Sequence, residues 1–152
     1  MLEYDFEKSI GYWIVMTSNL WERALNDELT PLGITYRQWQ VLGWLALDGD
    51  LTQAQLAERM RVEAPTLVGI LDRMERDGWI ARHPSATDRR KKLIRPTPQV
   101  QPIWSEIVAA AHRVRARAIE GIDPAQLRTV QHVLATIQAN LRVHQLVEET
   151  VT

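Results

Sequence analysis

Four consecutive cations, Arg89-Arg90-Lys91-Lys92, follow Asp88 in the middle of the chain. Guanidinium and ammonium groups crowded this way suit the neutralisation of phosphate, because each phosphate contact releases condensed counterions. Earlier stands Ala64-Pro65-Thr66-Leu67-Val68-Gly69, a small and mildly polar segment. On a helix, such a surface can approach base edges closely. Thr66 then offers a hydroxyl, and Val68 a methyl contact to thymine.

Catalytic chemistry finds no comparable constellation. The four histidines, His83, His112, His132 and His144, are dispersed, and no His-Glu-x-x-His or glycine-rich phosphate loop is present. His132 and His144 are too far apart along one helix to share a metal. With no cysteine, disulfides, Cys-ligated zinc, iron–sulfur clusters and thiol redox sensing are excluded together. The chain therefore reads as a non-enzyme that needs no cofactor and no metal.

The elements that must position the two segments follow from the apolar spacing and its punctuation. Residues 9–29 form a first helix whose apolar positions, Ile10, Trp13, Ile14, Leu20, Trp21, Ala24 and Leu25, cover more than one face. Pro31 and Gly33 end it. Thr35 and Gln38 form a capping box that opens a second helix carrying Trp39, Leu42, Leu45 and Ala46. Thr52 and Gln55 repeat the box before a short third helix with Leu56, Ala57 and Met60.

A fourth helix starts near Pro65, with Leu67, Ile70, Leu71 and Met74 as its buried stripe and Gly78 as its stop. Residues 79–82 and 92–95 read as two strands joined by the basic tip Ser85–Lys91. Thr97-Pro98 begins a long fifth helix that runs to about Glu120 and closes at Gly121. Asp123-Pro124 caps a sixth, where Leu127, Val130, Leu134, Ile137 and Leu141 repeat at 3/4 spacing and call for a partner helix. The expected fold is mainly α with a small β-hairpin wing, in the order α-α-α-α-β-β-α-α.

Composition agrees with this plan. The 152 residues are 45% hydrophobic and 24% charged, within the range of one globular domain. The formal net charge is only -1. Charge is nonetheless segregated: residues 52–95 hold ten basic and six acidic residues, a net of +4, and the remainder has a net of −5. The longest apolar run, Ile10 to Met16, is far short of a membrane span, and the acidic start lacks a secretory signal's basic region. A soluble, cytoplasmic protein with no membrane partner is the expectation.

In order and spacing, several motifs resemble the MarR family of winged-helix transcriptional regulators, most closely its SlyA-like branch. They are Thr52-x-x-x-Leu56-Ala57, Glu63-x-Pro65-Thr66-Leu67-Val68, Leu71-Asp72-x-Met74-x-x-x-Gly78-x-Ile80 and Asp88-Arg89-Arg90 with Ile94-x-x-Thr97. The resemblance implies one MarR-type domain over residues 1–152. A winged helix-turn-helix lobe would occupy 35–96, and helical dimerisation regions 1–34 and 97–152. It further implies a homodimer on pseudo-palindromic double-stranded DNA, acting as a repressor or a counter-silencing activator. Two-fold symmetry would set the recognition helices about 34–36 Å apart, one turn of duplex.

By the same resemblance, Thr52, Pro65, Thr66, Val68, Gly69, Arg73 and Arg76 belong to the DNA-binding face. Arg90 would enter the minor groove, Asp88 would orient the wing, and Arg89, Lys91 and Lys92 would meet phosphates. Gly69 is a departure, since SlyA-like relatives carry a base-reading arginine there. Family members also bind small aromatic or phenolic ligands, for which Trp13, Met16, Leu20, Trp39 and Gly43 are the expected lining. The first helix offers Asn19 and Glu22, with Arg23 adjacent, where relatives place arginine, which favours an uncharged aromatic over an anion. Two alternatives stay open from the residues alone: a helical module binding an acidic protein, and a small-ligand-binding protein without DNA binding.

Overall fold

The computed structural model describes residues 4–85 and 91–151, with side chains through residue 142. Among these residues the chain forms six α-helices and three short strands, with 3-10 turns at Phe6–Lys8, Thr30–Leu32 and Pro98–Val100. The mainly helical fold with a β wing read from the sequence is the fold observed.

The starts and stops have local causes. Helix α1 (Ile10–Leu29) is capped by Ser9, whose hydroxyl accepts from the Tyr12 N–H at 3.4 Å. Its end tightens into the 3-10 turn at Pro31, and Gly33 closes that turn at a left-handed φ of 71°. In front of α2 (Tyr36–Asp48), the Gln38 N–H donates to Thr35 Oγ1 at 3.2 Å. The Thr35 N–H donates in return to Gln38 Oε1 at 2.9 Å, completing the expected capping box. The same reciprocal pair, Thr52 and Gln55, opens α3 (Gln53–Met60). Helix α4 (Ala64–Arg76) begins with Pro65 in its first turn, where the missing N–H is no loss.

Strands β2 (Ile80–Pro84) and β3 (Lys92–Pro96) form the antiparallel hairpin, in register from Ile80 opposite Pro96 to Pro84 opposite Lys92. The sheet has a third member that the sequence does not signal. Leu51–Thr52 (β1) pairs with the other edge of β3, Leu51 opposite Ile94, giving the order β1-β3-β2. A two-residue strand has no alternation to read, and Thr52 shows only its capping function. A second difference lies at the fifth helix. Thr97 caps a 3-10 turn, and α5 proper runs Gln101–Ala118. Helix α6 spans Pro124–Val151, with Asp123 Oδ1 accepting from the Ala125 N–H at 2.6 Å.

Two compact units result, residues 1–115 and 116–152. In the first, one apolar core joins the winged lobe, α2 included, to α1 and α5. Leu25 and Leu29 of α1, Val41 and Leu45 of α2, Leu56 of α3, Leu67 and Leu71 of α4 and Ile107 of α5 are all buried in it. Leu51, Ile80 and Ile94 bring one residue of each strand into the same core. The lobe expected over 35–96 thus shares its core with parts of α1 and α5. The second unit holds the whole of α6, where Val130, Val133 and Leu141 are exposed and Leu127, Leu134 and Ile137 half-buried. Among the described residues no helix is long and apolar enough to cross a membrane.

Candidate nucleic-acid interface

The lobe's two short helices meet through Arg61, Val62 and Glu63, a connection of helix-turn-helix length. Arg61 turns the corner in the left-handed region (φ 51°, ψ 49°), and the Val62 N–H returns to the Ala57 carbonyl at 3.1 Å. Leu56 and Met60 of α3 and Leu67, Ile70, Leu71 and Met74 of α4 fix the pair on the core. That burial leaves Pro65, Thr66, Asp72, Arg73 and Arg76 exposed along α4, with Val68 and Gly69 partly exposed. All six α4 residues singled out from the sequence therefore lie on its accessible side.

Charge on this side is sorted by pairing. Arg82 of β2 reaches back to α4, where its Nη2 donates to Asp72 Oδ1 at 2.6 Å and its Nη1 to Glu75 Oε2. The Arg82 backbone N–H also donates to Glu75 Oε1 at 3.2 Å. Burial opposes the charge on Arg82, but hydrogen bonds and attraction from Asp72 and Glu75 outweigh it and raise the pKa above its ordinary value. Two carboxylates on the exposed side of α4 are thereby compensated from the wing. Arg59 pairs similarly with Asp48, and Arg95 with Asp50.

These pairs revise the charge count. Asp48 and Asp50 fall just outside the basic window, and residues 48–95 hold ten basic against eight acidic residues, so the net drops from +4 to +2. Among the described residues Arg61, Arg73, Arg76, Lys91 and Lys92 take part in no ion pair. They are the cations left to face a polyanion.

Lys91 and Lys92 are exposed where the wing leaves the sheet, and the Lys91 carbonyl accepts from the Ser85 N–H at 2.9 Å. They border an open groove of about 650 Å³ with Thr52, Gln53 and Gln55 at the start of α3 and Ala64 at the start of α4. The half-buried Thr52 thus shares one surface with the wing lysines. Asp88, Arg89 and Arg90 lie outside the described residues.

The residues expected around a ligand are less gathered. Trp13, Met16 and Leu20 are exposed on α1, and the Trp13 indole donates to the Glu7 carbonyl at 2.9 Å. Trp39 packs partly buried on the core, 5.3 Å from the Tyr36 ring, and Gly43 is half-buried on the same helix. Burial, and then the Glu22 carboxylate, raise the Tyr36 pKa against a smaller opposing effect of Arg37. An apolar cavity of about 310 Å³ between α2 and the start of α5 is lined instead by Leu42, Ala46, Pro96, Val100 and Trp104, and has none of the five in its wall. Trp104, which lines it, packs partly buried against the core.

A helix-turn-helix followed by a basic-edged β wing defines a winged-helix DNA-binding lobe. The family model described as MarR matches residues 32–91, which span most of that lobe. Across the whole fold the chain is similar to the transcriptional regulator PA3341, with 37% identity, TM-score 0.80 and coverage of 88% of this chain and 98% of that one. It shares its fold with wild-type MarR from E. coli (24% identity, TM-score 0.75, 90% and 98% covered). The same holds for CouR from Rhodococcus jostii RHA1, whose structure holds p-coumaroyl-CoA (24% identity, TM-score 0.74, 89% and 95% covered). The chain belongs to the MarR family of transcriptional regulators.

Proposed function

We propose that this chain binds a pseudo-palindromic operator as a homodimer of the SlyA-like type. It inserts α4 into successive major grooves and represses, or counter-silences, transcription until a small aromatic ligand releases it. The observation that carries the DNA-binding part is the sorting of charge on the lobe. The acids of α4 are bound by Arg82, and Arg73, Arg76, Lys91 and Lys92 stay unpaired around the helix-turn-helix. Cations spaced along one surface fit phosphates along a duplex, and Thr66 and Val68 are the base readers. Arg89 and Arg90 extend the cationic set in sequence, Arg90 as the minor-groove residue.

Dimerisation is supported by the apolar residues that the fold leaves uncovered. Ile10, Trp13, Ile14 and Trp21 are 55%, 54%, 37% and 39% exposed on α1, more apolar surface than a lone chain exposes without reason. Ligand control is supported by the p-coumaroyl-CoA in CouR and by the tryptophans of this chain.

Selection of duplexes from a random pool, followed by titration, tests the reading. The wild-type protein should enrich a two-fold symmetric sequence, and Lys91→Ala/Lys92→Ala should bind it at least ~10-fold more weakly at moderate salt. Equal affinity of the two proteins would contradict the assignment of the wing lysines. Tryptophan fluorescence titrated with small phenolic compounds tests the ligand part, and a flat response across chemotypes would remove it.

A further inference from the structure

Glycine inside a helix costs stability relative to alanine, so its presence there asks for a reason. Gly33, Gly49, Gly78 and Gly121 have one: each takes a positive φ, between 71° and 77°, that other residues adopt only with strain. Gly69 does not. It stands in the second turn of α4 with ordinary helical geometry, and a Cβ added there would find no atom within 4 Å. Neither backbone conformation nor packing within the chain requires the absence of a side chain. Gly11 and Gly43 are also helical, but neither lies on the helix that the lobe presents to DNA.

The surroundings of Gly69 sharpen the point. Pro65 precedes it by four residues and Asp72 and Arg76 follow by three and seven, so these positions line one side of α4. The carboxylate of Asp72 is drawn aside to Arg82, so it does not fold back over the glycine. A patch of bare backbone is therefore left open in the middle of the exposed side. Within a helix the peptide N–H and C=O are already hydrogen-bonded, which leaves only Cα hydrogens to meet a partner. The apolar feature that a base pair presents in the major groove is the C5-methyl of thymine.

We propose that Gly69 is a specificity determinant: the uncovered α4 backbone at this turn seats a thymine methyl, so that the base pair read here is A·T. The inference rests on the DNA-binding reading above and gives it a defined step of sequence recognition. A side chain at this position would occupy the volume of that methyl.

The test uses a duplex selected from a random pool by the full-length wild-type protein, and the same duplex with single thymines replaced by uracil, which removes only the methyl. One thymine in each half-site should matter, with uracil there weakening wild-type binding about 3–10-fold. Gly69→Ala should raise Tm by about 2–4 °C, because alanine favours the helix. It should also bind the selected duplex about 10-fold more weakly, with an unchanged salt slope, because no phosphate contact is lost. Its affinity for the uracil duplex should equal or exceed that for the thymine duplex, since the alanine methyl takes the vacated space.

Binding of the selected duplex by Gly69→Ala within twofold of wild type would overturn the inference, as would indifference of the wild type to every thymine methyl. A lowered Tm would overturn its premise that the fold does not need this glycine. If the wild type enriches no duplex at all, the DNA-binding reading falls as well. Enrichment followed by equal binding of the variant defeats the glycine inference alone.

Discussion

The winged lobe and the first helix solve opposite problems. In the lobe, most apolar side chains are taken up by the core: Leu56, Leu67, Leu71, Met74, Ile80 and Ile94 are all at or near complete burial, and among its described residues Leu47 is the large apolar side chain left exposed. On α1 only Leu25 and Leu29 are buried, near its end, and the turns before them show Ile10, Trp13, Ile14, Val15 and Met16 to solvent. The lobe's apolar core is closed with help from the end of α1 and from α5, and its outer side is left as an electrostatic surface. The first helix is incomplete as a folded object, because its exposed area would release about 25 cal/mol per Å² on being covered. In the function proposed above, the first helix meets a second copy and the lobe meets a polyanion.

The largest effect that would break this contrast is a charge placed on the apolar side. Trp13→Asp should raise the dimer dissociation constant at least ~100-fold, because two-fold symmetry puts the buried carboxylate on both subunits. Sedimentation equilibrium measures this, and circular dichroism should show the helices retained. Duplex affinity should fall with the dimer. A variant that stays as dimeric as wild type would remove α1 from the interface.

Next in size is Arg82→Ala. It deletes one cation and frees the carboxylates of Asp72 and Glu75 on the accessible side of α4, so affinity for duplex should drop ~10-fold or more through the altered local field. The stability loss should be only about 1 kcal/mol, because both acids are well exposed and solvent screens them. Thermal melting and duplex titration separate the two. If the stability loss dominates and affinity is unchanged, Arg82 acts only in folding.

A finer comparison uses two identical caps. Thr35→Ala and Thr52→Ala each remove a capping box, so each should cost ~1 kcal/mol in a thermal melt. Only Thr52 borders the groove with Lys91 and Lys92, so only its loss should also weaken duplex binding by a few-fold beyond the stability effect. Smallest is Arg59→Ala, which breaks a surface pair with Asp48 near Trp44. It should shift stability by less than ~1 kcal/mol and leave duplex affinity nearly as it was, although it deletes the same charge as Arg82→Ala.

Local signals in the sequence carried much of the fold. Thr35 with Gln38, Thr52 with Gln55, and Gly78 mark helix ends through bonds that span three residues, and Pro65 marks one by the N–H it lacks, all of which a linear reading can see. The apolar stripe of α4 appears in the structure residue for residue. β1 escaped because its pairing with β3 joins positions more than forty apart, and two residues have no period.

The charge pattern was legible only in part, for the same reason. A window count sees Arg59, Arg82 and Arg95 as free cations, whereas the fold brings each against a carboxylate from another element. The site therefore rests on fewer cations than the count implied, and on their being unpaired. Conversely, Gly69 reads by resemblance as a missing arginine, and its full meaning needs the open space where a Cβ would stand.

The central claim is that unpaired cations on two copies of the lobe meet the phosphates of one duplex. Its most direct measurement is the affinity of the wild-type protein for duplex DNA at a series of salt concentrations. With Arg73, Arg76, Lys91 and Lys92 contributing from each subunit, eight phosphate contacts in all, log K should fall against log salt with a slope of about −7, following the release of about 0.9 counterion per phosphate contact. A slope near zero, or no binding to any duplex at low ionic strength, would contradict the account.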